Sequence, residues 1–421
     1  MRLTWSEAET EPTGRLRRII VGLVRRRHRF MGTRCRQGRR ATSEASGTID
    51  PRFKLGSVPE ITDDPFPWPP ASATGVGSLP GTDPAEALRL VFGELPDLPH
   101  LTELPARGPG ADLTGRTAAL LIDMPAELTP SGWRFATRPG RDLRRAKSLL
   151  SADLDALEEV ADGYQGPLKI QAAGPWTLAA TIELSRSQDP VLADPGAVAD
   201  LTASLAEGVT AHVADVRNRV PGARIILQLD EPALPAVIAG GVPTASGLNR
   251  LPVPEPFSVE TALRTVIGAA DRFTVVHCCA MSVPFGMIKG AGANGVGFDL
   301  GKLRRTEEDA LAETVEAGLG ILAGAVPATG PAAAGADAEP AGVPQSPSAR
   351  QAAERVVELW RRMGWPVAGA AAAGPGGAAA QVVLTPACGM AGAAPGYPRE
   401  AMARCREAAR LLPELMEEGK G

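Results

Sequence analysis

From about residue 72 onward, short apolar runs of strand character alternate with longer stretches of helical period, and the alternation repeats eight times. The runs are 73–78, 100–104, 168–172, 224–230, 273–278, 295–300, 319–325 and 381–385. Helical patterns lie between them, notably at 84–94, 142–162, 195–220, 259–270, 306–318 and 348–363, and a last one at 399–418 follows the eighth run. A strand that is followed by a crossover helix returns to the sheet parallel to its predecessor, so this order specifies a parallel α/β sheet covered by helices. Eight such units over roughly 340 residues are what a (β/α)8 TIM barrel needs. A doubly wound open sheet is the alternative.

Outside this pattern the chain changes character. Residues 1–66 have no sustained period and carry a net charge of +6, while the remainder carries −10, for −4 in all. The first segment reads as a disordered basic tail, with Met31 an alternative start, rather than as an arm for an acidic partner. Residues 67–421 read as the barrel. Two Ala-, Gly- and Pro-rich pieces, 327–347 and 367–380, read as flexible loop insertions that carry no chemistry. The acidic body excludes nucleic acid as a partner. No run approaches the ~18 apolar residues of a membrane span, and the six at 19–24 are too few for a signal-peptide core. Five unevenly placed cysteines make no disulfide framework and suit a reducing cytoplasm.

In a barrel the chemistry sits at the C-terminal ends of the strands. Seven of the eight ends carry polar groups: Ser78, Glu103, Gln171, Asp230, the pair His277 and Cys279, Asp299, and Cys388. The seventh, Ala325-Val326-Pro327, carries none. His277 and Cys279 are two apart on a strand and share a face, and an imidazole beside a thiolate is half a zinc site. Cys388, just past the eighth run, supplies a second thiolate, and Asp299 is the natural carboxylate for the fourth position. Cys278 points the other way, as packing. Cys35, Cys405, His28, His100 and His212 are not expected to bind metal. Two thiolates and a carboxylate make an electron-rich site that dulls a metal as a water activator. Such a site suits a substrate thiol, which it deprotonates and leaves nucleophilic. The expected chemistry is transfer of an alkyl group to that thiol.

Gly77-Ser78-Leu79-Pro80, Gly174-Pro175-Trp176-Thr177, Asp230-Glu231-Pro232-Ala233-Leu234, His277-x-Cys279 and Pro386-Ala387-Cys388-Gly389, in this order and spacing, resemble the C-terminal catalytic barrel of cobalamin-independent methionine synthase and its shorter archaeal-type relatives. The resemblance covers roughly residues 72–420. The wider superfamily includes uroporphyrinogen decarboxylase and thiol methyltransferases acting on coenzyme M. The resemblance implies a zinc-dependent transfer of a methyl group to homocysteine, giving methionine. It implies His277, Cys279 and Cys388 as zinc (Zn2+) ligands, with Asp299 near the position of the family's Glu and one methylene shorter. It implies Ser78 at the amino-acid end of the substrate and Asp230 on its amine; Gln171 and Glu103 complete the substrate-binding set. No catalytic residue is expected beyond the metal ligands.

Three departures bear on the donor. Residues 1–66 cannot stand for the family's N-terminal barrel, which weakens the expectation of methylfolate. Where the family has an amine-binding Glu on strand two, the comparable stretch reads Arg107-Gly108-Pro109-Gly110. The family's strand-seven His, a proton donor to the departing folate nitrogen, is replaced at Ala325-Val326-Pro327, and no His follows His277. A methylated corrinoid protein is the other donor. Arg107, meeting a substrate carboxylate, would favour a related enzyme with another thiol or donor. A non-catalytic zinc-binding barrel is the remaining alternative.

Overall fold

The computed structural model describes residues 65–330, 346–365 and 377–418, all within one compact unit, 62–421. The expectation of a disordered tail lies outside the described residues, as does most of both loop insertions. Phe66, read from sequence as part of the tail, is buried and stacks on Trp68 with ring centroids 5.5 Å apart. Of the second insertion, Ala378–Gln381 form a helical turn.

A small antiparallel hairpin, β1 (Ala126–Thr129) and β2 (Gly132–Phe135), stands apart from the main sheet. The main sheet is curled, parallel and six-stranded: β3 (Gly166–Ala173), β4 (Ala223–Asp230), β5 (Phe273–Cys278), β6 (Gly295–Asp299), β7 (Gly320–Val326) and β8 (Val382–Pro386). The strands neighbour one another in chain order, without the reversal that defines a doubly wound sheet. Backbone pairing continues past both edges as single parallel bridges: Ala73 to Leu384 of β8, His100 to Lys169 of β3, and Ser78 to Glu103. The first two apolar runs of the sequence therefore appear as bridged segments rather than as strands. In the helix layer, Pro84–Glu94 packs against both Arg141–Val160 and Tyr397–Glu418. No described helix is long and apolar enough to cross a membrane.

Strand alternation gives the sheet two unlike faces. On one lie Leu168, Ile170, Leu227, Leu229, Val276, Cys278, Val296, Phe298, Ile321 and Ala323, all buried against the helices. A parallel strand covered on both sides needs this apolar row. The other face changes along its length. At the N-terminal ends Ile226, Val275, Leu322 and Val383 join Phe66, Trp68 and Leu98 in a second apolar cluster. Trp68 closes it: its ring meets Phe273 edge-on at 5.0 Å and its Nε1 donates to the Ala380 carbonyl at 2.9 Å. Toward the C-terminal ends the same face carries Gln171, Gln228, Asp230, His277, Asp299 and Thr385, aligned by register pairs such as Asp230 with His277 and Asp299 with Gly324. An apolar floor thus supports a polar mouth.

Candidate metal centre and substrate pocket

His277 ends the inner face of β5 and Cys279 follows two residues later, as the period of two requires. Cys278 between them is fully buried on the helix side. Cys388 arrives from the other edge of the sheet, where the Ala387 N–H donates to the Val326 carbonyl at 2.7 Å and fixes the exit from β8. One ligand atom from each of His277, Cys279 and Cys388 lies within 4.8 Å of the others. The two sulfurs are 3.0 Å apart, too far for a disulfide at about 2.05 Å. The Cys279 thiol, the His277 imidazole and the Gly389 N–H favour a thiolate at Cys388 and outweigh its burial. The same contact, with burial, pushes the Cys279 thiol up.

His277 Nε2 is buried with no hydrogen-bond partner among the described residues, a condition native structures avoid unless a ligand supplies the partner. Space for the ring comes from Gly297, its register partner on β6: a Cβ there would come within 2.9 Å of Nδ1. An orphaned imidazole nitrogen beside two cysteine sulfurs fits a tetrahedral metal of zinc's preference.

Asp299 is not part of this group. Its carboxylate accepts from the Gly301 N–H at 2.9 Å and faces the Lys302 ammonium at 3.4 Å. That ammonium also donates to the Cys279 carbonyl at 2.7 Å. The other expected site residues gather at the same mouth. Ser78 is tied to the Cys388 segment by the Met390 N–H, which donates to the Ser78 carbonyl at 2.7 Å. Asp230 is 6% exposed and accepts from Gln228 Nε2 at 2.8 Å. Burial, then the Glu103 carboxylate, pushes its carboxyl well up, and Lys169 opposes them. Glu103 is also buried and pushed up by burial, against Arg116, Gln171 and Lys169. Gln171 donates to the Leu101 carbonyl at 2.7 Å and leaves its Oε1 buried without a partner.

The structure corrects the reading of Arg107. Its guanidinium is already engaged within the protein, held at 2.7 Å by Asp153, a fully buried carboxylate on the helix Arg141–Val160. Asp153 also binds Arg116, whose Nε lies 3.8 Å from Glu103. Nothing in the sequence marks Asp153, one acid among many on an amphipathic helix. Lys169, on the inner face of β3, is equally unmarked. At the end of β7 the polar group missing from the strand comes from the next helix, Ala349–Arg362, where Arg355 reaches the Ala325 carbonyl at 3.4 Å.

Two of the sequence motifs meet in a structural role. Glu231 is fully buried and faces away from Asp230. Its carboxylate accepts from the backbone N–H groups of Trp176 and Thr177 (2.9 and 2.7 Å) and from the Thr177 hydroxyl (2.7 Å). It thereby caps the short helix Pro175–Thr181. Gly174 is small because a Cβ there would lie 2.3 Å from the Glu231 carboxylate.

A curled parallel sheet whose strand ends converge on a His-Cys-Cys cluster and buried carboxylates defines an α/β protein with a half-barrel sheet and a candidate metal centre. Among solved structures the chain is similar to a B12-independent methionine synthase from Shewanella sp. W3-18-1 in complex with selenomethionine. The TM-score is 0.51 at 12% identity, over 83% of this chain and 99% of that one. At that identity the likeness is one of fold. No family model matches the chain, and no curated protein does.

Proposed function

We propose that this protein is a methyltransferase that places a methyl group on a thiol, with homocysteine as substrate and methionine as product. The observation that carries the reading is the convergence of His277, Cys279 and Cys388 within 4.8 Å at the same strand ends as Asp230 and Ser78. The fold likeness to a methionine synthase supports it. The bridged segments at Ala73–Ser78 and His100–Glu103 are then the first two strands of a (β/α)8 barrel occupying residues 67–421. Zinc held by the three side chains would supply Lewis acidity that deprotonates a coordinating thiol and leaves it nucleophilic.

The chain's own groups do the rest. Asp230 holds the α-ammonium of the substrate, and Ser78, next to the Cys388 segment, holds its amino-acid end. Glu103 and Gln171 line the same pocket, where the unpartnered Gln171 Oε1 has an acceptor to offer. Asp299 completes the ligand set by turning away from Lys302 and the Gly301 N–H; left where it is, the fourth position belongs to the substrate. The end of β7 offers no imidazole; the Arg355 guanidinium there donates to the Ala325 carbonyl. A donor whose departing group needs no proton, such as a methylated corrinoid protein, suits this mouth better than methylfolate. A dithiol-rich site of this kind belongs in the reducing cytoplasm.

The decisive experiment is zinc-edge X-ray absorption on purified protein, before and after L-homocysteine. One additional sulfur neighbour on adding the thiol is expected. Bound zinc that gains no sulfur neighbour on adding homocysteine, in protein that does not methylate it, would sink the reading.

A further inference from the structure

Lys169 is fully buried on the inner face of β3, where an ammonium is costly to hold unless other groups compensate it. Its Nζ donates to the Val76 carbonyl at 2.8 Å, its one hydrogen-bond partner among the described residues. The same carbonyl accepts from Gln228 Nε2 at 2.9 Å, and that amide also donates to Asp230 at 2.8 Å. One network therefore ties the ammonium, the backbone just before Gly77-Ser78, and the carboxylate of Asp230. Ser78 in turn meets the Met390 N–H beyond Cys388.

The charges around Lys169 have an order. Arg107 and Arg116 flank Asp153. Arg116 also faces Glu103, and Lys169 interacts with both Glu103 and Asp230. From Arg107 to Asp230 basic and acidic side chains alternate, three of each. Glu103 stands between two cations. Asp230 ends the row, with Lys169 as its cationic neighbour and with Glu103 and Cys388 as anionic ones. Asp230 is thus the acid at the open end of the row, and Lys169, its cationic neighbour, is tied to it through the Val76 carbonyl and Gln228.

We propose that Lys169 is a positioning residue that makes the pocket select amino-acid thiols, those bearing an α-ammonium group, by holding Asp230 and the Val76–Ser78 segment in place through the Val76 carbonyl and Gln228. The proposal rests on the methyltransferase reading above. It makes the specificity for the substrate's amine depend on a side chain that need not touch the substrate.

The test compares L-homocysteine with 4-mercaptobutyrate, the same thiol without its amine, by calorimetric titration of zinc-loaded wild type and Lys169→Met. Wild type is expected to prefer homocysteine by about tenfold to a hundredfold, the range for a hydrogen bond to a charged group. In Lys169→Met the preference collapses to within about threefold through loss of homocysteine affinity alone, since only the amine contact is removed. Zinc content, read by elemental analysis, stays at the wild-type level. Should Lys169→Met fail to fold, Lys169→Gln, which keeps an N–H for the Val76 carbonyl, makes the same comparison. A preference unchanged in the variant, or an equal fall for both thiols, overturns the role of Lys169 while leaving the methyltransferase reading intact. Wild type that binds neither thiol overturns both.

Discussion

The pocket has a sulfur end and a carboxylate end, and they are built in different ways. The sulfur end is local: His277 and Cys279 share one strand terminus, and Cys388 hangs from one turn after β8. Two strands deliver the three ligands, and the backbone needs only to curl for them to meet within 4.8 Å. The carboxylate end is collective. Asp230 depends on Lys169 and Gln228, Lys169 on Val76, Glu103 on Arg116, and Arg116 with Arg107 on Asp153 of the Arg141–Val160 helix. One end can lose a side chain without loss of fold; the other holds charges that were buried together and must be kept together.

The largest effect is expected at the sulfur end. Cys388→Ser removes one ligand from a set of three, and loss of even an outer hydrogen-bond partner costs metal sites about 10–100-fold in affinity. Purified variant should fall from about one zinc per chain to under about 0.1, with thiol methylation lost and the melting temperature matching that of the zinc-free wild type. Elemental analysis and thermal denaturation read this together. Retained zinc would show that Cys388 is not a ligand.

Asp153→Asn should do the reverse. It leaves the buried guanidinium groups of Arg107 and Arg116 uncompensated (side chains 9% and 4% exposed), which costs about 3–5 kcal/mol of stability. Zinc content should hold in the fraction that folds. Urea denaturation measures the loss. A cost below about 1 kcal/mol would mean that the row of charges is not coupled through Asp153.

The difference between the two ends also explains which features are legible in the sequence alone. The six strands of the sheet are legible because each is an apolar run bounded by turn residues, and β5 falls where the pattern puts it, Phe273–Cys278. The sulfur ligands are legible for the same reason, since a period of two assigns Cys279 inward and Cys278 outward. Asp299 shares the inner face, yet near neighbours in the chain, the Gly301 N–H and Lys302, take its carboxylate. The ion row is not legible, because Asp153 meets Arg107 and Arg116 across 46 and 37 residues of chain. No local pattern distinguishes an acid that turns inward from one that stays in water. The hairpin of β1 and β2 and the helix Pro175–Thr181 escape notice because they are four to seven residues long, too short to show a period.

The neighbours Asp230 and Glu231 sharpen the comparison within a single dipeptide. Asp230 faces the pocket, whereas Glu231 faces the helix Pro175–Thr181 and is shared with no cation. Burial pushes its carboxyl up to about 7, against the hydrogen bonds from Thr177 and Trp176. The folded protein therefore holds this proton more tightly than the unfolded chain, whose carboxyl titrates near 4.5. The stability this contributes is full below about pH 4.5 and is lost as the pH rises through about 7, on the order of 3 kcal/mol in all. Glu231→Gln has no proton to lose, so its stability should fall less between pH 5 and pH 8 than that of wild type. The decline that remains in the variant comes from Glu103 and Asp230, which are also pushed up by burial. Urea midpoints at several pH values across this range give both slopes. Equal slopes would mean that the helix cap keeps Glu231 ionised in the folded protein throughout, with the three donated hydrogen bonds outweighing burial.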